Sequence, residues 1–298
     1  MKINKNIFGL FLIGTFLLSC NKNEKADGYG NFEATEITIS AENSGKLIQF
    51  TAEEGQILKK GAYVGFIDTI PLSLKRDQLL VQKTIISSKS SNVLSQISVL
   101  NAQLKTATIN KNRIENLVRE DAGTQKQLDD INGEIEVIQK QIKSIQSQNL
   151  PIINELKSID VQLKQVNDLL QKSYIINPVN GTILSTYAES KEITSFGKPL
   201  YKIADLTNMQ LRVYISENQL SNIKIGQEVI IKIDEKDAMK NYSGIVSWIA
   251  SEAEFTPKII QTKEERVNLV YAVKVDVKND GSLKIGMPAE MWITNKSE

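Results

Sequence analysis

The chain has 298 residues, with no histidine, a single cysteine, and 36 basic against 35 acidic side chains. Without imidazole there is no Ser-His-Asp or Cys-His nucleophile pair, no histidine-bearing zinc site and no histidine pH switch. One thiol closes no intramolecular disulfide and builds no cysteine-rich metal centre, and a net charge of +1 supplies no bulk polycation for nucleic acid. An apolar fraction of 41% with only 6% aromatics favours aliphatic packing in elongated elements, and the length allows one to three domains. The chain reads as non-catalytic, with no cofactor and no nucleic-acid partner.

Lys2 and Lys5 precede an apolar run from Ile7 to Leu18, and Ser19-Cys20 follows. A bilayer span needs roughly 20 apolar residues, and this run is shorter. A basic start, a short apolar stretch and a small residue before the cut describe a bacterial secretory signal over residues 1–19. Leu17-Leu18-Ser19-Cys20 resembles a lipobox, with the only cysteine where the lipid-modified residue belongs. Lipidation at Cys20 implies a protein tied to a membrane surface and folded in water. The alternatives are an uncleaved anchor or an incidental thiol. The polar stretch from Asn21 to Gly28 marks a tether over residues 20–32.

Residues 44–67 and 180–203 align without gaps at an offset of 136. Gly45, Ala52, Glu53, Ile57, Gly61 and Ile67 meet Gly181, Ala188, Glu189, Ile193, Gly197 and Ile203. Each copy reads as short strands separated by glycine turns, and two copies together make a small β-sandwich or flattened barrel. The alternative is two unrelated hairpins that share turn glycines.

Between the copies, Leu128, Ile131, Ile135, Ile138, Ile142 and Ile145 begin an apolar seam in steps of three and four. It continues through Asn149, its one polar member, to Ile152, Leu156, Ile159, Leu163, Val166 and Leu170. Upstream, Leu79, Ile86, Val93, Leu100, Ala107 and Ile114 recur every seven residues, while Lys83, Ser90 and Lys111 interrupt the accompanying stripe. Asp121 and Gly123 break the pattern near its midpoint. Two helices of about 48 residues, about 72 Å each at 1.5 Å per residue, either fold back on each other or build a two-chain rod. The split repeat favours the hairpin, because antiparallel helices return the chain to where it left. Pro151 should bend the second helix rather than end it, since the seam resumes in register.

From Met209 the chain is strand-rich again, with alternation in Leu211–Ile215, Val229–Ile233, Gly244–Ile249, Tyr271–Val277 and Ala289–Ile293. Glu217 to Ile223 suits a short helix, and the whole segment suits a small antiparallel barrel of five or six strands.

A lipobox, a β-domain split by a helical coiled coil and then a β-barrel together resemble the HlyD-like membrane fusion proteins, or periplasmic adaptors. The resemblance rests on Gly45 through Asp68, on Ile176 through Ile183, on Gly197 through Asp205 and on Ile225-Gly226-Gln227-Glu228-Val229. It implies an elongated α+β multidomain chain. After the signal and tether come a lipoyl-like first half at 33–71, an antiparallel coiled-coil α-hairpin at 72–172 with its tip at 118–124, a lipoyl-like second half at 173–205 and a β-barrel at 206–298.

At the tip, Arg113, Leu117, Thr124 and Leu128 stand at spacings of four, seven and four. This is similar to the adaptor motif Arg, Leu, Ser, Leu, which in the family engages a TolC-like outer-membrane duct; Thr124 stands where the family has Ser. A cation and a hydroxyl offer directional hydrogen bonds while leucines pack the tip. The bland alternative is a solvated arginine and a threonine that caps the second helix.

The resemblance implies a non-catalytic periplasmic adaptor, held at the inner-membrane face of a Gram-negative cell and assembled as a ring, expected to be a hexamer. It would link an inner-membrane exporter to a TolC-like channel. Proton-driven resistance-nodulation adaptors carry a further membrane-proximal domain, whereas this chain runs only to Glu298, which favours an ABC-type exporter, with a major-facilitator exporter next. A lipoyl or biotinyl carrier would need a modified lysine on a tight hairpin where the helices are inserted. A structural coiled-coil spacer lipoprotein explains the helices but leaves the barrel and the repeat idle.

Overall fold

The computed structural model describes residues 25–236, 238–255 and 269–293. The signal sequence, the lipobox with Cys20 and residues 294–298 at the end of the expected barrel lie outside them. The first strands are β1 (Gly28–Glu33), β2 (Glu36–Ser40), β3 (Gly45–Phe50), β4 (Ile57–Leu58) and β5 (Tyr63–Ile67). Two long helices follow, α1 (Ile70–Arg119) and α2 (Gln125–Lys172). Then come β6 (Tyr174–Ile176), β7 (Gly181–Thr186), β8 (Ile193–Thr194) and β9 (Pro199–Ala204). Beyond them lie β10 (Asn208–Ser216), the one-turn α3 (Glu217–Leu220), β11 (Glu228–Glu235) and β12 (Ala238–Ile249). The last are β13 (Glu254–Phe255), β14 (Leu269–Lys278) and β15 (Pro288–Ile293). They fall into two units, one of Thr38–Ile203 and one of the residues before and after it.

In the first unit the repeat is realised strand for strand: β3, β4 and β5 are matched by β7, β8 and β9. The copies exchange their two-residue strands. Ile57 and Leu58 of β4 pair with Thr182 and Gly181 of β7, and Ile193 and Thr194 of β8 pair with Lys46 and Gly45 of β3. The backbone bonds repeat too: the Ile183 amide donates to the Gln56 carbonyl at 2.9 Å, and the Leu47 amide to the Glu192 carbonyl at 2.8 Å. Two four-stranded sheets result, β2-β9-β7-β4 and β6-β5-β3-β8, closed over a core of Leu47, Val64, Ile67, Ile183, Leu200 and Ile203. The likeness is therefore not one of shared turn glycines alone, since neither copy completes a sheet without the other.

Inside this core Tyr201 is fully buried, and its hydroxyl donates to Asn177 Oδ1 at 3.1 Å. Asn177 Nδ2 in turn donates to the carbonyls of Lys59 and Val179. The strand that re-enters from the helices is thereby bonded to a turn of the first copy. Burial pushes the Tyr201 hydroxyl up to about 12.

Helix α1 starts where the Ile70 amide donates to Asp68 Oδ1 at 2.9 Å, with Pro71 in the first turn, where a missing N–H costs nothing. Helix α2 packs against it in the same chain, so the seam serves a hairpin rather than a two-chain rod. Two apolar clusters form the contact. Leu79, Ile86, Ile159, Leu163 and Val166 hold the base, and Ile97, Ala107, Ile131, Ile138 and Ile142 hold the outer half. Each buried Leu, Ile or Val among them contributes roughly 1.5–3 kcal/mol. Helix α2 continues through Pro151, and Ile152 and Leu156 rejoin the basal cluster just beyond it.

In the second unit, all-antiparallel pairing runs β10-β1-β15-β11-β12-β14 and closes through β10–β14, with β13 added beside β14. The core holds Phe32, Leu211, Val213, Val229, Ile231, Val273, Val275 and Met291. Strand β1 departs from the expectation for this segment. Gly28–Asn31 fall in the expected tether and Phe32 at its end, yet all are barrel strand. The reason lies in the inward positions. A Cβ on Gly30 would stand 1.8 Å from the Arg212 carbonyl oxygen, so glycine is needed there against β10, while Phe32 is wholly buried in the core.

Candidate functional site

The hairpin tip is built by the end of α1 and the start of α2. Arg113 and Leu117 lie four apart on α1, and Thr124 and Leu128 bear the same relation across the start of α2, so each pair shares a helical face. Helix α1 ends in a left-handed turn at Asp121, φ 60°. There the Ala122 amide donates to the Leu117 carbonyl at 2.8 Å and the Asp121 amide to the Val118 carbonyl at 3.2 Å. This pair of bonds satisfies carbonyls that a helix end leaves open, and aspartate is one of the few side chains that tolerate the conformation. Gly123 is needed for space rather than for its φ. A Cβ there would stand 3.1 Å from Val118 Cγ2 and 3.2 Å from Leu117 Cβ.

Thr124 opens α2 with a capping box. Its Oγ1 accepts from the Gln127 amide at 3.3 Å, and Gln127 Oε1 accepts from the Thr124 amide at 2.9 Å. The capping half of the bland alternative therefore holds. The hydroxyl proton is not used by the cap and stays available to an outside acceptor.

The four sequence-selected residues divide three to one. Arg113 is exposed and makes no hydrogen bond or ion pair among the described residues. Leu117 is 41% exposed, a large fraction for a leucine at the end of a helix. Thr124 is exposed as well. Leu128 instead packs against the outer apolar cluster of the hairpin, so it supports the tip rather than presenting a surface. Sequence reasoning missed the turn-forming part of Asp121 and the spatial need for Gly123. The Thr124-x-x-Gln127 signature was there to be read.

The junction between β5 and β6, where a carrier domain would present its modified lysine, is occupied by the two helices. No helix among the described residues is long and apolar enough to cross a membrane.

No family model matches the chain. It is similar to the UPF0194 membrane protein of Citrobacter koseri, 23% identical over 309 residues that span 95% of this chain and 93% of that protein. It is also similar to the UPF0194 membrane protein YbhG of Salmonella gallinarum, 24% identical over 300 residues, or 92% and 90% of the two chains. Two solved structures share the architecture. MacA from Actinobacillus actinomycetemcomitans superposes with a TM-score of 0.55 at 19% identity, over 89% of this chain and 76% of that one. The membrane fusion protein Spr0693 from Streptococcus pneumoniae R6 gives 0.56 at 18%, over 90% and 98%. The chain has a membrane fusion protein fold. In it the split β-domain and the barrel are two units and the hairpin tip is an exposed end.

Proposed function

We propose that this chain is a non-catalytic periplasmic adaptor. In this reading it joins an inner-membrane exporter to a TolC-like outer-membrane channel, several copies forming a ring, with six expected. The observation that carries the reading is the insertion of a 50-residue and a 48-residue helix into a β-domain whose halves are useless apart. That design places an exposed tip far from the β-strands, at about 1.5 Å per residue. The tip bears an exposed cation at Arg113, without a partner among the described residues, an exposed Leu117 and a hydroxyl at Thr124, the chemistry of a docking end. The exporter in this reading is ABC-type, as the resemblance in the sequence implies. Cys20, outside the described residues, is the proposed lipid anchor, holding the chain to the inner-membrane face.

The test is crosslinking in whole cells followed by co-purification, with both neighbours identified by mass spectrometry. An exporter and an outer-membrane channel recovered together support the proposal. A structural spacer would bring down neither.

A further inference from the structure

Away from the seam, the back of α1 carries exposed Lys105 and the back of α2 carries exposed Glu136, at similar heights along the hairpin. Seam residues Ala107 and Ile131 point into the hairpin, so Ile109 and Gly133, two positions on, lie on the opposite faces of α1 and α2. Ile109 is 53% exposed, which makes it an apolar knob on the back of α1. Gly133 has no atom within 4 Å of where a Cβ would be, and it borders a surface depression with Glu136 and Val137. Val137 is itself 55% exposed.

Ile109 lies about 15 Å from the tip end of α1 and Gly133 about 12 Å from the tip end of α2, at 1.5 Å per residue. Around the knob stands Lys105, exposed and without an ion pair among the described residues. Around the notch stands Glu136, whose ion pair is a 4.0 Å contact with exposed Lys140 on its own helix. Neither Lys105 nor Glu136 makes an ion pair from one helix to the other among the described residues. A cross-hairpin ion pair, Lys83 with Asp160 at 2.7 Å, lies nearer the base.

We infer that the back of α1 in one copy packs against the back of α2 in the next, Ile109 seated over Gly133 and Lys105 paired with Glu136. The contact is between unlike faces, so it repeats from copy to copy rather than stopping at a dimer, and it makes a ring when the rotation per copy closes a full turn. Charge complementarity fixes the register and small-against-large packing supplies the apolar contact. The inference rests on the multi-copy part of the proposed function and names the surface that would serve it.

The test uses the full chain in cells, with Ile109→Cys and Gly133→Cys introduced together and mild oxidation applied. A ladder of disulfide-linked species beyond the dimer is expected from the double variant, and none from either single variant. Lys105→Glu should abolish the ladder and Lys105→Glu with Glu136→Lys should restore it, a readout that a folding defect cannot mimic. An amine-reactive crosslinker run in parallel separates the two ideas. Oligomers seen with that reagent but no disulfide ladder would overturn this interface and leave the ring standing. No oligomer by either route would overturn both. A dimer formed equally by Ile109→Cys alone would mean a like-to-like contact and contradict the inference.

Discussion

Ser90 Oγ donates to Asn149 Oδ1 across the hairpin at 2.9 Å, so these two polar seam residues are each other's partner. They lie between the basal and outer apolar clusters, with Asn149 two residues before Pro151. Ser90→Ala should cost about 1 kcal/mol, because Asn149 loses its donor in a half-buried layer. Ser90→Ala with Asn149→Leu should recover at least that much, since an apolar pair leaves nothing unsatisfied. Hydrogen exchange of the α1 amides flanking position 90 reads both changes. A double variant less protected than Ser90→Ala would contradict the account.

The Tyr201–Asn177 bond makes a second prediction. Tyr201→Phe leaves a buried carbonyl oxygen without its donor and should cost about 1–3 kcal/mol in thermal or urea unfolding. The sign of its pH dependence follows from burial. A phenol whose folded pKa stands near 12, against about 10 when unfolded, stabilises the fold below pH 10 and loses that stabilisation as pH rises through 12. The native chain should lose stability over that window, and Tyr201→Phe should lose less.

The two copies of the β-domain supply an internal control on backbone strain. Gly55 has φ 84°, and its counterpart in the second copy is Lys191, at φ 79°. Both amides donate to the opposite copy, Gly55 to the Ile183 carbonyl at 2.9 Å and Lys191 to the Leu47 carbonyl at 2.6 Å. Lys191→Gly should therefore stabilise by about 1 kcal/mol and Gly55→Ala should destabilise by a similar amount. No atom lies within 4 Å of a Cβ placed on Gly55, so the cost is conformational. Melting temperatures that move the opposite way would remove strain from the explanation.

For the proposed anchor, Cys20→Ala should abolish acyl labelling and leave the chain either in the soluble fraction or held by an uncleaved signal. Acyl labelling that survives the substitution would sink the lipobox reading.

Much of this architecture was legible because its signals are periodic. The heptad steps from Leu128 to Leu170 marked α2, and the offset of 136 residues marked the halves of the β-domain. What escaped had no period to read. Strand β1 turns Gly28 and Gly30 inward, so a buried edge of the strand carries no apolar alternation, and its partners β10 and β15 come only after the hairpin. Ser90 looked like an interruption and Asn149 like an exception, because their pairing depends on the register set by the turn at Asp121. At the tip, spacing selected Arg113, Leu117, Thr124 and Leu128 alike, while burial separates Leu128 from the other three.

The central claim, that the tip docks on an outer-membrane channel, is tested most directly by a photoreactive residue placed at exposed Ala122 and, as a control, at exposed Lys143 down α2. Ala122 is preferable to Gly123, where any side chain presses on Val118. After irradiation of cells, position 122 should capture an outer-membrane channel protein and position 143 should not. Arg113→Asp should abolish that capture while sparing the fold, because exposed substitutions usually change stability by no more than about 0.5 kcal/mol. Capture of no outer-membrane protein from position 122, or capture unchanged by Arg113→Asp, would contradict the account.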